Sequence, residues 1–482
     1  MILRHRVRGS SLEPLWLELS PGSSLIRAED SELNNTPAIG SRLSTAYRRF
    51  LLAVEDRPAS VLLLLMLLAF IVGMAKLWSE PPSFEFNWEN RWWQIAVNIV
   101  RGNGYVACKP IYFPFCGPEN QITAMREPLP VLLFALIASV THESLLAAAV
   151  SGVIVNLGIV VALFFLTREL ADTRAGVLAA LLWICYLPPI RVFYNQPSGD
   201  LLATLAITLG LFHFLRARRT GQQRHWLAAG AWLGLAMLAR SATVIIAVVL
   251  TVGQIFWPRP TSGMPQRSFL RGFRPVALFA VAWAVTSSPW LVRNYLVFGR
   301  PVIGSTLSGY YLYRQNHTLP SDNYLRFVTG AEFVPVIHQM IARRDDLNGT
   351  EDEAAMDLVY REEALRIIKA EPLRYVALSA LRLLMLWFNW GVKQAYHLTN
   401  TVGDYLTVIQ HALLLAGAAL GLRGRWRLAW PLAASVVASS LLYMLVMAHL
   451  PYAVAVVPLL VALTAIACIE IGSPVRLGTQ PQ

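Results

Sequence analysis

The stretch "FNWENRWWQIAVNIVRGNGY", residues 86–105, sets a carboxylate, Glu89, among tryptophans just after an apolar run long enough to cross a bilayer. If the segment is helical from Asn87, a good cap, Trp88, Trp92, Ile95, Ala96 and Ile99 share one face. Trp93, Val97 and Val100 widen that face, and Asn90, Arg91, Gln94, Asn98 and Arg101 take the other. Gly102 and Gly104 would end the helix. The pattern predicts an amphipathic helix at the membrane interface, with Glu89 the one charge inside its apolar arc. Such an acid either satisfies the helix dipole or enters a site between this helix and the spans, because ionisable groups facing lipid are functional candidates. Glu85, one turn earlier, is the second candidate.

Further polar residues mark the edges of apolar runs. Arg126 and Glu127 stand directly before "PLPVLLFALIASV", either as a surface ion pair or as a site where the guanidinium fork holds a phosphate. Tyr194, Asn195 and Asp200, in "YNQPSGD", fall at the mouth of a later span, where Asp200 is either a helix N-terminal acid or a site residue. Arg240 interrupts "GLAMLARSATVIIAVV" and would be costly in lipid, so it requires an anionic partner or an exposed mouth. Arg293 and Asn294 follow another span, in "SSPWLVRNYLVFGRPV", ahead of a turn-rich segment. Cys108 and Cys116 are separated by seven residues in a loop expected to face an oxidising space, where a disulfide would stiffen it. Two free, partly buried thiols are the alternative, while Cys185 and Cys468 read as packing residues in spans. The nine histidines form no ligand-spaced cluster, and no phosphate-binding glycine loop or dinucleotide fingerprint occurs.

Composition says what must carry these residues. Of 482 residues, 55% are hydrophobic and 15% charged, with a mean hydropathy of +0.48. A soluble chain would carry about a quarter charged residues. The chain is therefore predicted to be an all-α polytopic membrane protein with about 10–12 transmembrane helices. Its net charge of +12 is nearly all arginine, and the arginines fall mostly between spans, as membrane topology requires; nucleic acid is not expected as a partner. Residues 1–58 read as a mobile cytoplasmic tail rather than a cleavable signal. Residues 59–291 read as an N-terminal transmembrane core that includes a first periplasmic loop, 79–144, with juxtamembrane helices. Within that loop, the apolar run from Pro128 is short for a crossing and is expected to be half-inserted. Residues 292–374 form a second, larger periplasmic loop, in which Thr350 and Glu353 offer a capping box to a solvated helix that stops before Pro372. Residues 375–471 hold the last spans, with 375–388 lying against lipid, and 472–482 form a cytoplasmic tail.

In order and spacing, several stretches resemble the multi-spanning C-type glycosyltransferases that use polyprenyl-phosphate sugars. These are Glu89 to Tyr105, "REPLPVLLFAL", "WLAAGAWLGLAMLAR" (226–240), "PWLVRNYLVFGRPV" (289–302) and "EALRIIKAEPLRYVALSALRLLMLW" (363–387). Protein O-mannosyltransferases, the transferase that adds aminoarabinose to lipid A, and bacterial family 39 members belong to this group, and the resemblance covers about residues 60–471. It implies an enzyme of the bacterial inner membrane, serving envelope biogenesis. The enzyme would move a hexosyl or pentosyl group from a polyprenyl-phosphate donor to a glycan, lipid or protein acceptor on the periplasmic side, with inversion. In that chemistry a carboxylate accepts the acceptor's proton, here Glu89 with Glu85 as the alternative. Cations hold the charge growing on the phosphate, a role the resemblance offers to Lys109, Arg126, Arg240 and Arg293, with Glu127, Asp200 and Asn294 completing the substrate site. Most members carry aspartate where this chain has Glu89, and "HLPYAV" lacks the arginine often found before the last span. No metal ligand set is implied, and a divalent cation is left open. A ligase or polymerase of lipid-linked oligosaccharides would present similar loops and is the alternative. A transporter of lipid-linked sugars would call for repeated halves and midplane charges, and the sequence shows no internal repeat.

Overall fold

The computed structural model describes residues 55–85, 91–116, 121–194, 198–256 and 269–472. Glu89, Asn195, the basic linker after Phe256, and nearly all of both expected tails lie outside these residues. Among the described residues no strand forms beyond one isolated bridge between Val106 and Ile122, and the protein is an all-α polytopic membrane protein.

The helices run in the order α1 (Pro58–Ser79), α2 (Trp92–Val100), α3 (Pro128–Val140), α4 (Leu145–Leu170), α5 (Thr173–Ile184) and α6 (Asp200–Thr220). Then come α7 (Gln223–Ala239), α8 (Val244–Phe256), α9 (Phe269–Phe298), α10 (Ser308–Asn316) and α11 (Gly330–Ile341). The chain continues through α12 (Glu353–Ala370), α13 (Pro372–Phe388), α14 (Val402–Gly421), α15 (Trp426–Val446) and α16 (Val457–Gly472). Eight segments among the described residues are long and apolar enough to cross a membrane: α1, α4, α5 extended to Arg191, α6, α9 from Phe273, α14, α15 and Leu450–Ile471. Helices α7 and α8, with 17 and 13 residues, fall short of that length, which accounts for the difference from ten.

Position within the bundle follows from how each helix distributes its apolar residues. Residues 453–467 are all buried, as a helix that is apolar on every side must be when it occupies the centre. In contrast α1 buries only Leu65, Ala69, Gly73 and Leu77, an i, i+4 stripe laid on α4, and stands at the edge. The short α3 buries Val131, Phe134, Ala135 and Ala138, while Leu132, Leu136 and Val140 form an exposed apolar stripe on its other side.

Two sequence expectations are corrected here. Helix α2 runs from Trp92, after Arg91 in the left-handed region at φ 68°, while the expected cap Asn87 lies outside the described residues, and α2 does not present one apolar and one polar face. Gln94 and Asn98, assigned to the polar side, are buried, because Arg91 donates to Gln94 Oε1 at 2.6 Å and Asn98 donates to Val106 O at 2.9 Å. Helix α2 is thus enclosed by α3 and its own loop rather than laid on a surface. Helix α12 is likewise not a solvated scaffold. Its cap is Asp352, which accepts from Ala355 N at 2.7 Å, so Glu353 is released from any capping box and is buried together with Asp357, Tyr360 and Ala364.

Candidate active site

Helix α3 opens on "REPLP". Proline at its first turn needs no hydrogen-bond partner there, and Glu127 takes the cap position in extended conformation. The Glu127 side chain accepts instead from the backbone N (3.0 Å) and Oγ (2.9 Å) of Ser241, in the break between α7 and α8. That break is made by Arg240, whose extended backbone (φ −157°, ψ 108°) ends α7. Asp200 is the first residue of α6 and ion-pairs with Arg240. Gly199 permits this approach: a Cβ there would lie 2.2 Å from Ala239 O, so any side chain would push α6 off the end of α7. Arg240 also donates to Tyr443 Oη at 3.0 Å and sits 4.4 Å above the Tyr452 ring, which joins α15 and the last span to the same point.

These groups wall a cavity of about 680 Å³. Four of the residues singled out from sequence, Arg126, Glu127, Asp200 and Arg240, line it together. Arg126 lies 4.0 Å above the ring of Trp92, and its carbonyl accepts from Tyr105 Oη at 2.8 Å. The wall also contains Arg300, Asp357 and Arg361, which the sequence reading did not name as site residues. Asp357 accepts from Gly309 N (2.5 Å), Ser308 Oγ (3.1 Å) and Arg361 (3.0 Å). Burial pushes its carboxyl up, against the pull of Arg361 and Gly309. Four arginines against three carboxylates leave the wall with one excess positive charge.

The other expected site residues stand elsewhere. Glu89 is outside the described residues, and Glu85 is exposed and not part of the wall. Lys109 lies 5.4 Å over the ring of Tyr112, behind that wall residue rather than in the cavity. Arg293 packs over Trp290 at 4.9 Å and donates to Thr123 O at 2.9 Å, and Asn294 donates to Val302 O at 3.2 Å. Both hold backbone that leads into the wall, and neither reaches the cavity itself. Beside them Glu353 accepts from Thr123 Oγ1 (2.5 Å), Ala124 N (2.9 Å) and Thr306 Oγ1 (2.7 Å). Burial raises the Glu353 carboxyl to about 7, despite these donors and the charge of Arg293. Cys108 and Cys116 are joined by a disulfide, with Cα atoms 5.7 Å apart. Among the described residues no three His, Cys, Asp or Glu side chains converge in a way that would hold a metal ion.

The sequence signals for the missed residues were present but weak. Arg300 sits inside the quoted "PWLVRNYLVFGRPV", and Asp357 and Arg361 are an i, i+4 pair that looks like ordinary helix-surface charge.

Comparison with known proteins gives the following likenesses. Residues 125–290, which include Arg126, Glu127, Asp200 and Arg240, match the family described as dolichyl-phosphate-mannose-protein mannosyltransferase. No curated protein sequence matches the chain. Among solved structures, the oligosaccharyltransferase AglB from Archaeoglobus fulgidus, in complex with an inhibitory peptide and a dolichol-phosphate, is 16% identical with a TM-score of 0.48. That alignment covers 86% of this chain and 50% of the other, so the chain spans about half the length of the archaeal enzyme. ArnT from Cupriavidus metallidurans, bound to undecaprenyl phosphate, is 14% identical with a TM-score of 0.38, over 83% of this chain and 77% of the other. The family match thus covers about a third of the chain, residues 125–290, within a multi-pass membrane protein.

Proposed function

We propose that the protein transfers a sugar from a polyprenyl-phosphate donor to an envelope glycan, lipid or protein acceptor, inverting the anomeric carbon, at the periplasmic face of a bacterial inner membrane. The observation that carries this reading is the cavity in which Arg126 and Arg240 meet at the ends of apolar helices α3 and α7. A donor anchored in lipid brings its phosphate to such a boundary, and guanidinium groups stabilise the charge that grows on the phosphate oxygens. The acceptor oxygen attacks the anomeric carbon as the bond to the phosphate oxygen breaks on the opposite face. The acceptor's proton passes to a carboxylate, and polyprenyl phosphate leaves.

The three wall carboxylates are poor choices for that base. Asp200 is paired with Arg240, Asp357 with Arg361 and two further donors, and Glu127 with Ser241. Each is already engaged as an acceptor within the fold. We assign the role to Glu89, three residues before Trp92 of the wall, with Glu85 as the alternative. The test is sugar transfer from a purified polyprenyl-phosphate donor. Glu89→Gln should lower turnover by about two to four orders of magnitude, the usual weight of general-base catalysis, while Glu89→Asp keeps part of it. Full activity in Glu89→Gln with loss in Glu85→Gln moves the base back one turn. Full activity in both removes this segment from the chemistry.

A further inference from the structure

The connection between α9 and α10 is braced along its length. Asn294 Nδ2 donates to Val302 O at 3.2 Å, Trp290 Nε1 to Gly304 O at 2.8 Å, and Thr306 N to Ala124 O at 3.2 Å. Thr306 Oγ1 donates to Glu353 at 2.7 Å. Gly304 packs so tightly on Ser241 that a Cβ added to it would lie 2.1 Å from the serine's own. At its start, Gly299 turns the chain through φ +64°, and the ring of Pro301 restricts the backbone on either side of it. The "PWLVRNYLVFGRPV" stretch thus serves to pin this segment.

On that rigid mount sits Arg300, lining the cavity. Arg240 is paired with Asp200, Arg361 with Asp357, and Glu127 with Ser241, while Arg126 stacks on Trp92. Among the described residues, Arg300 is the one charged side chain of the wall with no hydrogen bond, ion pair or ring contact. A guanidinium held in place without a counter-charge suits an anion delivered by a ligand, and its fork fits phosphate or carboxylate. Arg126 and Arg240 stand at the ends of apolar helices, where a lipid-borne phosphate arrives. Arg300 instead hangs from a polar connection and shares the wall with Ser308 and with Arg361 of α12, none of which a span supplies.

We propose that Arg300 binds an anionic group, phosphate or carboxylate, on the acceptor, so that the enzyme selects anionic over neutral acceptors. This rests on the reading of the cavity as the transfer site. The test follows tryptophan fluorescence of the full-length protein in detergent, titrated with methyl glucoside, methyl glucoside 6-phosphate and undecaprenyl phosphate. Wild type should bind the phosphorylated sugar at least about tenfold more tightly than the neutral one, the size expected for a charge-assisted contact. Arg300→Gln should abolish that preference and Arg300→Lys should restore part of it, with undecaprenyl phosphate affinity changed by less than about twofold in both. Equal binding of the two sugars by wild type, or a preference that survives in Arg300→Gln, overturns the proposal. So does a loss of undecaprenyl phosphate affinity in Arg300→Gln, which would assign the residue to the donor's phosphate. If wild type ignores undecaprenyl phosphate yet keeps the sugar-phosphate preference, the lipid-donor reading fails and the role of Arg300 stands.

Discussion

The Glu353 carboxylate accepts a 2.5 Å hydrogen bond from the hydroxyl of Thr123, 230 residues earlier in the chain. Through this contact and those to Ala124 and Thr306, one buried acid joins the first loop, which supplies Arg126, to the connection that supplies Arg300.

That acid makes stability depend on pH in a stated direction. Its carboxyl is raised to about 7 in the fold, against about 4.3 in an unfolded chain. The contribution is fully present below the unfolded value and is lost as pH rises through 7. A shift of this size corresponds to about 4 kcal/mol. Glu353→Gln stays neutral throughout, so the Tm of wild type minus that of the variant should fall between pH 4.5 and 8 and then level. Parallel Tm curves for the two proteins would show that Glu353 does not titrate in this range.

Asp200 is buried and its partner Arg240 mostly so, and breaking one side of the pair should be worse than removing both. Asp200→Asn strands the Arg240 guanidinium and should cost about 3 kcal/mol. The double variant Asp200→Asn, Arg240→Gln should recover part of that loss, as read from thermal unfolding in detergent. Additive losses in the double variant would mean the two side chains act independently.

Gly199→Ala should be destabilising by about 1–3 kcal/mol, the usual range for overpacking, because its Cβ would meet the Ala239 carbonyl at 2.2 Å. Gly158→Ala provides the control, since its Cβ would meet only the flexible end of Leu205, at 3.3 Å. That change should stay within about 1 kcal/mol. Similar Tm values for the two variants would remove the argument that Gly199 sets the approach of α6 to Arg240.

Non-reducing mass spectrometry should recover Cys108 and Cys116 as one bridged peptide, with Cys185 and Cys468 alkylated. The double substitution Cys108→Ser, Cys116→Ser should lower stability by about 2 kcal/mol, the low end for a bridge that closes a short loop. Alkylation of all four cysteines would refute the bridge.

What the sequence determined by itself is what depends on neighbours along the chain. Runs of about twenty apolar residues must be helical in lipid, because each backbone group has to find its partner within the segment. Hence the class and most spans were legible, and so were Arg126, Glu127, Asp200 and Arg240, polar residues at apolar boundaries where isolation is costly. The family resemblance added the chemistry, but not which residues share a wall. That was decided by contacts between segments far apart in the chain: Glu127 with Ser241, Asp200 with Arg240, Glu353 with Thr123. Arg293, a candidate phosphate partner by the resemblance, donates to the carbonyl of Thr123 and does not line the cavity. Asp357 and Arg361 read as a solvated helix face, since an i, i+4 charge pair looks the same whether water or another segment lies opposite. Only the fold brings Ser308 and Gly309 against that face and turns it towards the cavity, and a long-range contact of that kind leaves no periodicity for a sequence to show.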